Sequence, residues 1–196
     1  MPCPTEEGCG RDIELRAFLF YSQTMDHAVV ETELGAMGVG WTDRGVARLS
    51  LPGGNLLDRL SRWGLRAAPP AGIASVIEMV VRYAQGEPVE FDAVELDFGT
   101  APAFHCAAYD DIRKLRWGQT TTYGAIARRL GDGNLARAVG QAMGANPIPL
   151  IVPCHRVLGA DGKTGGFSGP GGVGSKMRML ELEQAASPQG QLAFGF

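Results

Sequence analysis

The sequence predicts an α+β protein: a small N-terminal mixed α/β domain (antiparallel sheet plus helix) and a mainly helical C-terminal domain with a helix-turn-helix. Three observations predict it. Residues 13–51 have a β-like texture interrupted by a turn, residues 73–81 carry a helix-period apolar stripe, and residues 104–144 read as short helices separated by glycine and proline breaks. With 196 residues, 45% of them apolar and 20% charged, the chain makes one compact domain or two small ones. A chain of that length buries a core without disulfide or metal staples. No uninterrupted apolar run reaches the roughly 18 residues of a membrane span. The N-terminus, MPCPTEEGCG, is acidic and lacks a basic-then-apolar start, so no secretory signal is expected. Cys3, Cys9, Cys106 and Cys154 show no paired motif spacing, which fits a reducing, cytoplasmic setting.

Residues 1–12 lack periodicity and are expected to be loose. A domain over 13–98 then opens with the apolar run Ala17–Tyr21. Met37–Trp41 and Val46–Leu51 flank the turn-rich Thr42-Asp43-Arg44-Gly45 and predict a hairpin. Leu56, Leu57, Leu60 and Trp63 form a short helical stripe before the break at Pro69-Pro70. Ile73, Val76, Ile77, Val80 and Val81 recur at helical spacing and Gly86 stops the run, which predicts an amphipathic helix. Val94, Leu96 and Phe98 alternate with acids and read as a strand or an extended linker. The boundary falls at a linker over 99–103, followed by a domain over 104–186 and a tail over 187–196. In that second domain, helices are expected at Phe104–Leu115, at Thr120–Leu130 with Thr121 or Thr122 as N-cap, and at Leu135–Gly144. Gly131–Asn134 is the turn between the last two, and Asn146-Pro147 ends the third.

Charge divides the chain. Residues 1–111 sum to −9 and residues 112–178 to +8, within a net charge of −3. A basic half beside an acidic one points to a domain that faces a polyanion, or to uneven surface decoration. The expected Leu135–Gly144 helix narrows the choice. Leu135, Ala138, Val139, Ala142 and Met143 form its apolar stripe, and Arg137, Gly140, Gln141 and Gly144 form the opposite face. Each helical glycine costs on the order of 1 kcal/mol relative to alanine. The bare face suits close approach to a nucleic-acid groove with Arg137 as the projecting side chain, or close packing of another helix.

Pro153-Cys154-His155-Arg156 ends a stiff apolar run beginning at Asn146-Pro147. A thiol is nucleophilic as thiolate, and a nearby His and Arg lower its pKa. A buried inert cysteine is the competing reading. Neighbouring side chains on an extended strand face opposite ways, so Cys154 and His155 would communicate through a bend or a bridging water. Met177, Leu180 and Leu182 mark a C-terminal helix with Glu183 at the edge of its stripe. An inward carboxylate there must be paired, with His155 as its candidate partner; a solvated Glu183 is the alternative.

The order Thr-Thr-Tyr123-Gly-Ala-Ile-Ala, Ala136-Arg137-Ala-Val-Gly-Gln-Ala-Met143, Asn146-Pro-Ile-Pro and Pro153-Cys-His-Arg-Val157 closely resembles the methylated-DNA–protein-cysteine S-methyltransferases, the O6-alkylguanine-DNA alkyltransferases. The resemblance is dense over 104–183 and diffuse over 14–98. It implies a DNA-repair protein that flips O6-alkylguanine out of duplex DNA and transfers the alkyl group irreversibly to Cys154, once per molecule. It further implies that His155 takes the thiol proton through a water, that Glu183 holds His155, and that Tyr123 donates a proton or hydrogen bond to the departing guanine. Arg137 is implied as the finger entering the duplex from the minor groove, with Thr120, Thr122, Ala136 and Gly140 on the DNA. Met143, Asn146, Val157, Phe167 and Ser168 would border the base, with Asn146 tying the recognition helix to the active-site strand. No cofactor is implied, the protein is expected to be a DNA-associated monomer in the cytoplasm, and no membrane partner is expected.

The sequence departs from that family's pattern in places. Phe167 replaces a usual tyrosine, and Phe167–Lys176 is about two residues longer than usual, its glycines predicting a mobile lid. Tyr109-Asp110 replaces a Trp-Lys type pair. Some relatives bind zinc in the N-terminal half, but Cys3, Cys9 and His27 reproduce no ligand spacing and no metal is expected. His105 and Cys106 are read as structural. Two other function classes fit parts of the sequence. A helix-turn-helix regulator would leave His155, Tyr123 and Glu183 without purpose, and a thiol hydrolase would not need Arg137 or the Gly140/Gly144 face.

Overall fold

The computed structural model describes residues 25–187 and 190–191. The expected run Ala17–Tyr21, the loose start over 1–12 and most of the tail lie outside the described residues. Three strands, β1 (Asp26–Val30), β2 (Met37–Thr42) and β3 (Gly45–Ser50), form an antiparallel sheet in that order. The predicted turn connects β2 to β3, with Thr42 opposite Gly45. Met37, Val39 and Trp41 of β2 are buried in the core. The intervening Gly38 and Gly40 leave room on the strand's other face. A Cβ at Gly38 would lie 2.3 Å from Leu60, and one at Gly40 would lie 2.9 Å from Trp63.

Leu60 closes α1 (Leu56–Leu60), which Asn55 caps by accepting from the Asp58 amide. The expected four-residue stripe there is shorter in the fold. In a helix of five residues only Leu60 is buried, and Leu57 is 64% exposed. α2 (Ala71–Ala84) follows Pro70 and buries Ile73, Val76, Val80, Tyr83 and Ala84, while Ile77 and Val81 are half-buried on the flank. The Val94–Phe98 segment is extended but is no strand. It joins the sheet through one parallel bridge, Val46 to Leu96, and Arg113 fastens it by donating to the carbonyls of Phe91, Asp92 and Val94 at 2.8–3.0 Å.

The second half is helical as predicted, with boundaries set by tertiary pairing. α3 (Ala103–Ile112) stops short of Leu115. The helix expected from Thr120 begins at Tyr123 instead: Thr121–Thr122 is a two-residue strand, β4, and Thr122 caps α4 (Tyr123–Arg129), its Oγ1 accepting from Ala125 N at 3.1 Å. A 3₁₀ turn at Gly133–Leu135 leads into α5 (Ala136–Gly144). Cys154–Arg156 is a second 3₁₀ turn, not extended chain, and it runs into β5 (Val157–Leu158).

The expected glycine-rich lid is shorter than predicted, because Gly172 and Gly174 belong to α6 (Gly172–Leu182). The buried face of α6 carries Lys176, Met179 and Leu180, with Glu183 buried just beyond its end, whereas Met177 is only half-buried. A two-residue antiparallel pair, β6 (Ala186–Ser187) with β7 (Gly190–Gln191), follows. One apolar core runs from the sheet and α2 through α3 to α4 and α5. Among the described residues no helix is long and apolar enough to cross a membrane.

Candidate active site

Parallel pairing of β4 with β5 assembles the site. Thr121 lies opposite Val157 and Thr122 opposite Leu158, so the start of α4 is held against the end of the Cys154–Arg156 turn. Tyr123, the first residue of α4, and Cys154 thereby border one cavity of about 450 Å³. Gly140, Met143 and Gly144 of α5 and Gly166, Phe167 and Ser168 of the following loop complete its lining. A cavity of this size is ample for a heterocyclic base.

Asn146 anchors the segment between α5 and the turn. Its Nδ2 donates to Val152 O at 2.9 Å and its Oδ1 accepts from Ile148 N at 3.0 Å. Leu150 adopts φ +76° in the bend that follows. That backbone conformation costs on the order of 1–3 kcal/mol and is sustained by burial of the side chain. The bend aims the chain so that Cys154 N meets Val152 O at 2.7 Å and Arg156 N meets Pro153 O at 3.0 Å.

Behind the sulfur lies a buried polar network centred on Glu183, which is 1% exposed. Its Oε1 accepts from His155 Nε2 at 2.7 Å, from Tyr83 Oη at 2.6 Å and from Arg156 Nη2 at 3.1 Å. Its Oε2 accepts from Arg156 Nε at 2.8 Å and from the Gly118 amide at 3.4 Å. Burial alone would raise the Glu183 carboxyl, but His155 and Arg156 outweigh it and bring the pKa down to about 2. Burial lowers His155, and the neighbouring charges of Arg156 and Lys176 act in the same direction against Glu183. His155 is therefore neutral, with its Nε2–H donated to an ionised carboxylate. The remaining nitrogen, Nδ1, carries the lone pair, is buried and has no partner within the described residues.

Cys154 is 6% exposed, and burial pushes its thiol up. Hydrogen bonding by Asn146, the positive charge of Lys176 and backbone amides oppose that rise. The expectation that His155 and Arg156 lower the thiol pKa is not met, because both are committed to Glu183. The facing cation is Lys176, whose Nζ donates to Val157 O at 2.7 Å and which burial lowers to about 8. Tyr123 is raised, first by burial and then by Cys154. Tyr83 and Lys176 are not singled out by the sequence, and Arg156, expected beside the thiol, is bound to Glu183 instead. Tyr83 belongs to the regular apolar stripe of α2, and Lys176 could have been found only as a charge in phase with Met179, Leu180 and Glu183.

Of the remaining candidates, Arg137, Ala136, Thr120, Thr122, Asn146 and Val157 do not line the cavity that Tyr123 and Cys154 border. Arg137 is exposed on α5, Ala136 and Gly140 are half-buried beside it, Thr120 precedes β4 and Thr122 ends it. Among the described residues, neither glycine of α5 makes room for a neighbour. A Cβ at Gly144 meets nothing within 4 Å, and one at Gly140 meets only the edge of Tyr123 at 4.0 Å. Helix–helix packing is thus removed as the reason for that bare face. Ser168 Oγ donates to Gly144 O at 2.9 Å and Phe167 lines the cavity, while Val157 follows directly from the turn. Among the described residues, no three His, Cys, Asp or Glu side chains come together as a metal site.

Comparison with known proteins follows the same geometry. Residues 103–185 match the family model described as 6-O-methylguanine DNA methyltransferase, DNA binding domain. The methylated-DNA–protein-cysteine methyltransferase of Methanothermobacter thermautotrophicus is 34% identical over 155 residues, covering 79% of this chain and 82% of its own. That of Mycobacterium tuberculosis H37Rv is 42% identical over 120 residues, covering 61% of this chain and 70% of its own. The crystal structure of Mycobacterium tuberculosis OGT in complex with DNA aligns with a TM-score of 0.69 and 33% identity, over 81% of this chain and 92% of that one.

Two outcomes follow from the buried network. Glu183→Gln leaves Arg156 buried without an anion, so chemical denaturation at neutral pH should give a loss of about 3–5 kcal/mol. The pH dependence has a fixed sign. A carboxyl depressed to about 2 in the fold contributes stability above its ordinary range and loses it as pH falls toward 2, so this acid-labile component should vanish in Glu183→Gln. Tyr83→Phe removes a donor that draws charge from Glu183 and so strengthens the carboxylate's hold on a protonated His155. An NMR titration of the His155 imidazole should place its midpoint below 6.5 in the parent and higher in the variant, with Arg156 and Lys176 unchanged around it.

Proposed function

The chain belongs to the methylated-DNA–protein-cysteine methyltransferase family, and from that premise we propose that Cys154 is the acceptor for an alkyl group taken from O6 of a guanine flipped out of duplex DNA. The observation that carries this reading is the Cys154 sulfur at the wall of a base-sized cavity, with the neutral His155 and ionised Glu183 buried behind it. An O6-alkyl group stacked inside a duplex cannot reach a sulfur that is 6% exposed, so the nucleotide must leave the stack. Extrusion costs a few kcal/mol, and less for a lesion that pairs poorly.

The chemistry is a displacement at carbon. The thiol proton passes through a water to His155 Nδ1, and Glu183 stabilises the resulting imidazolium. The thiolate forms the S–C bond as the C–O6 bond breaks, and the electron pair of that bond stays with the guanine. Tyr123, across the cavity, donates to the ring and neutralises the leaving base. The raised thiol suits this order of events, because thiolate is generated against the bound base. Nothing in the site breaks the thioether that results, so each molecule reacts once.

The helix pair α4 and α5 serves as the helix-turn-helix in this reading. The bare Gly140/Gly144 face sits in the minor groove, Arg137 occupies the space left by the base, and Thr120, Thr122 and Ala136 meet the backbone. The basic surplus of residues 112–178 supports that placement. Met143, Phe167 and Ser168 shape the pocket, Asn146 and Val157 hold the chain on either side of the Cys154 turn, and the protein works as a DNA-associated monomer.

Mass spectrometry tests the reading directly. Incubation with a duplex carrying one O6-methylguanine should add a single methyl, located on Cys154, at one per molecule; Cys154→Ser should gain none. Binding without any mass change would instead favour a regulator. Arg137→Ala should slow transfer from duplex at least tenfold more than transfer from the free base, and equal losses would remove its proposed role.

A further inference from the structure

A second cavity opens at Cys154. It is larger, about 810 Å³, and shares Met143, Gly144, Cys154, Phe167 and Ser168 with the first. Its far wall comes from the N-terminal half: Arg48 of β3, Arg59 of α1, and Arg62 and Trp63 just beyond α1. Among the described residues no Asp or Glu lines it, although residues 1–111 carry a charge of −9. Two acids of this half pair with other arginines, Asp97 with Arg44 and Glu87 with Arg82. Arg48, Arg59 and Arg62 have no carboxylate partner among the described residues.

Arg59 is also held in place. Its Nε donates to Ser50 Oγ at 3.0 Å and its Nη2 to Leu51 O at 3.2 Å. Neutral acceptors fix the guanidinium without cancelling its charge. Arg48 and Arg62 are exposed beside it. Three uncompensated guanidinium groups next to an indole, along a cleft that ends at the reacting sulfur, have the composition of a single-strand nucleic-acid channel. Cations meet phosphates there, and an aromatic face meets a base.

We infer that this cleft holds the sugar–phosphate backbone of the lesion-bearing strand beside the extruded nucleotide, with Arg48, Arg59 and Arg62 on its phosphates. The inference rests on the base-extrusion reading above. A base seated in the smaller cavity remains tethered to its strand on both sides. Its flanking phosphates must therefore lie close to the cavity mouth, and the arginine-lined cleft adjoins that mouth through the shared wall. The N-terminal half then takes part in DNA binding despite its acidic sum.

The test is equilibrium binding of the full chain carrying Cys154→Ser, which stops transfer, to a duplex with one O6-methylguanine across a range of salt. Replacing Arg48 and Arg62 together by alanine should lower the slope of log K against log salt by about 1.4–1.8, two phosphate contacts at roughly 0.7–0.9 each. Replacing both by lysine should keep the parent slope, since an ammonium also neutralises a phosphate. An unchanged slope in the alanine variant overturns the inference. So does an equal drop in the lysine variant, which would mark a loss of shape and not of charge. Failure of the unsubstituted chain to acquire a methyl would overturn the transfer reading separately, because the slopes are read on a protein that transfers nothing.

Discussion

Glu183 accepts hydrogen bonds from Tyr83, His155 and Arg156 and from the Gly118 amide, at the end of α6 and out of contact with water. An ionised carboxylate in that position would cost several kcal/mol without partners, so the partners are obligatory. They come from three separate stretches of chain: α2 in the N-terminal half, the turn that carries Cys154, and the loop ahead of β4. One buried charge therefore fixes the tautomer of His155 and docks the C-terminal helix. It also couples the N-terminal half to the candidate chemistry through the hydroxyl of Tyr83. Arg156 completes the arrangement by donating to Leu115 O at 2.7 Å, which ties the loop after α3 to the same centre.

Much of this was legible in the residue pattern, and the exceptions share a cause. The hairpin, the α2 stripe and the turn between α4 and α5 depend on local periodicity and turn chemistry, which a sequence displays. Cys154, His155 and Glu183 could be read because a thiol, an imidazole and an inward carboxylate have few neutral explanations in combination. Thr121-Thr122 looked helical because its alternative is pairing with Val157-Leu158, a contact that no window of sequence contains. Tyr83 was hidden by its own regularity, since an aromatic in a helical stripe signals packing. Arg156 was assigned to the wrong partner for a similar reason: adjacency to Cys154 in sequence suggested contact, and the 3₁₀ turn sends the two side chains apart.

The helix face of Gly140 and Gly144 makes a related point about what folding alone selects. Each glycine weakens α5 by on the order of 1 kcal/mol, and no neighbour among the described residues needs the space. A sequence that keeps such residues forgoes stability at that surface, as expected where a second molecule must come against the backbone. The arginines around the larger cleft belong to the same account, since they are cations with no carboxylate partner among the described residues.

The depth and protonation of Cys154 bear on how long the molecule stays fit for use. Peroxides and disulfides attack thiolate, not thiol. Keeping the sulfur protonated and nearly out of reach slows those encounters while leaving it open on the side of the cavity it lines. Rationed access of this kind acts as a safety catch. The same burial makes the group sluggish toward oxidants, so Cys154 outlasts a solvent-exposed thiolate wherever peroxide is present.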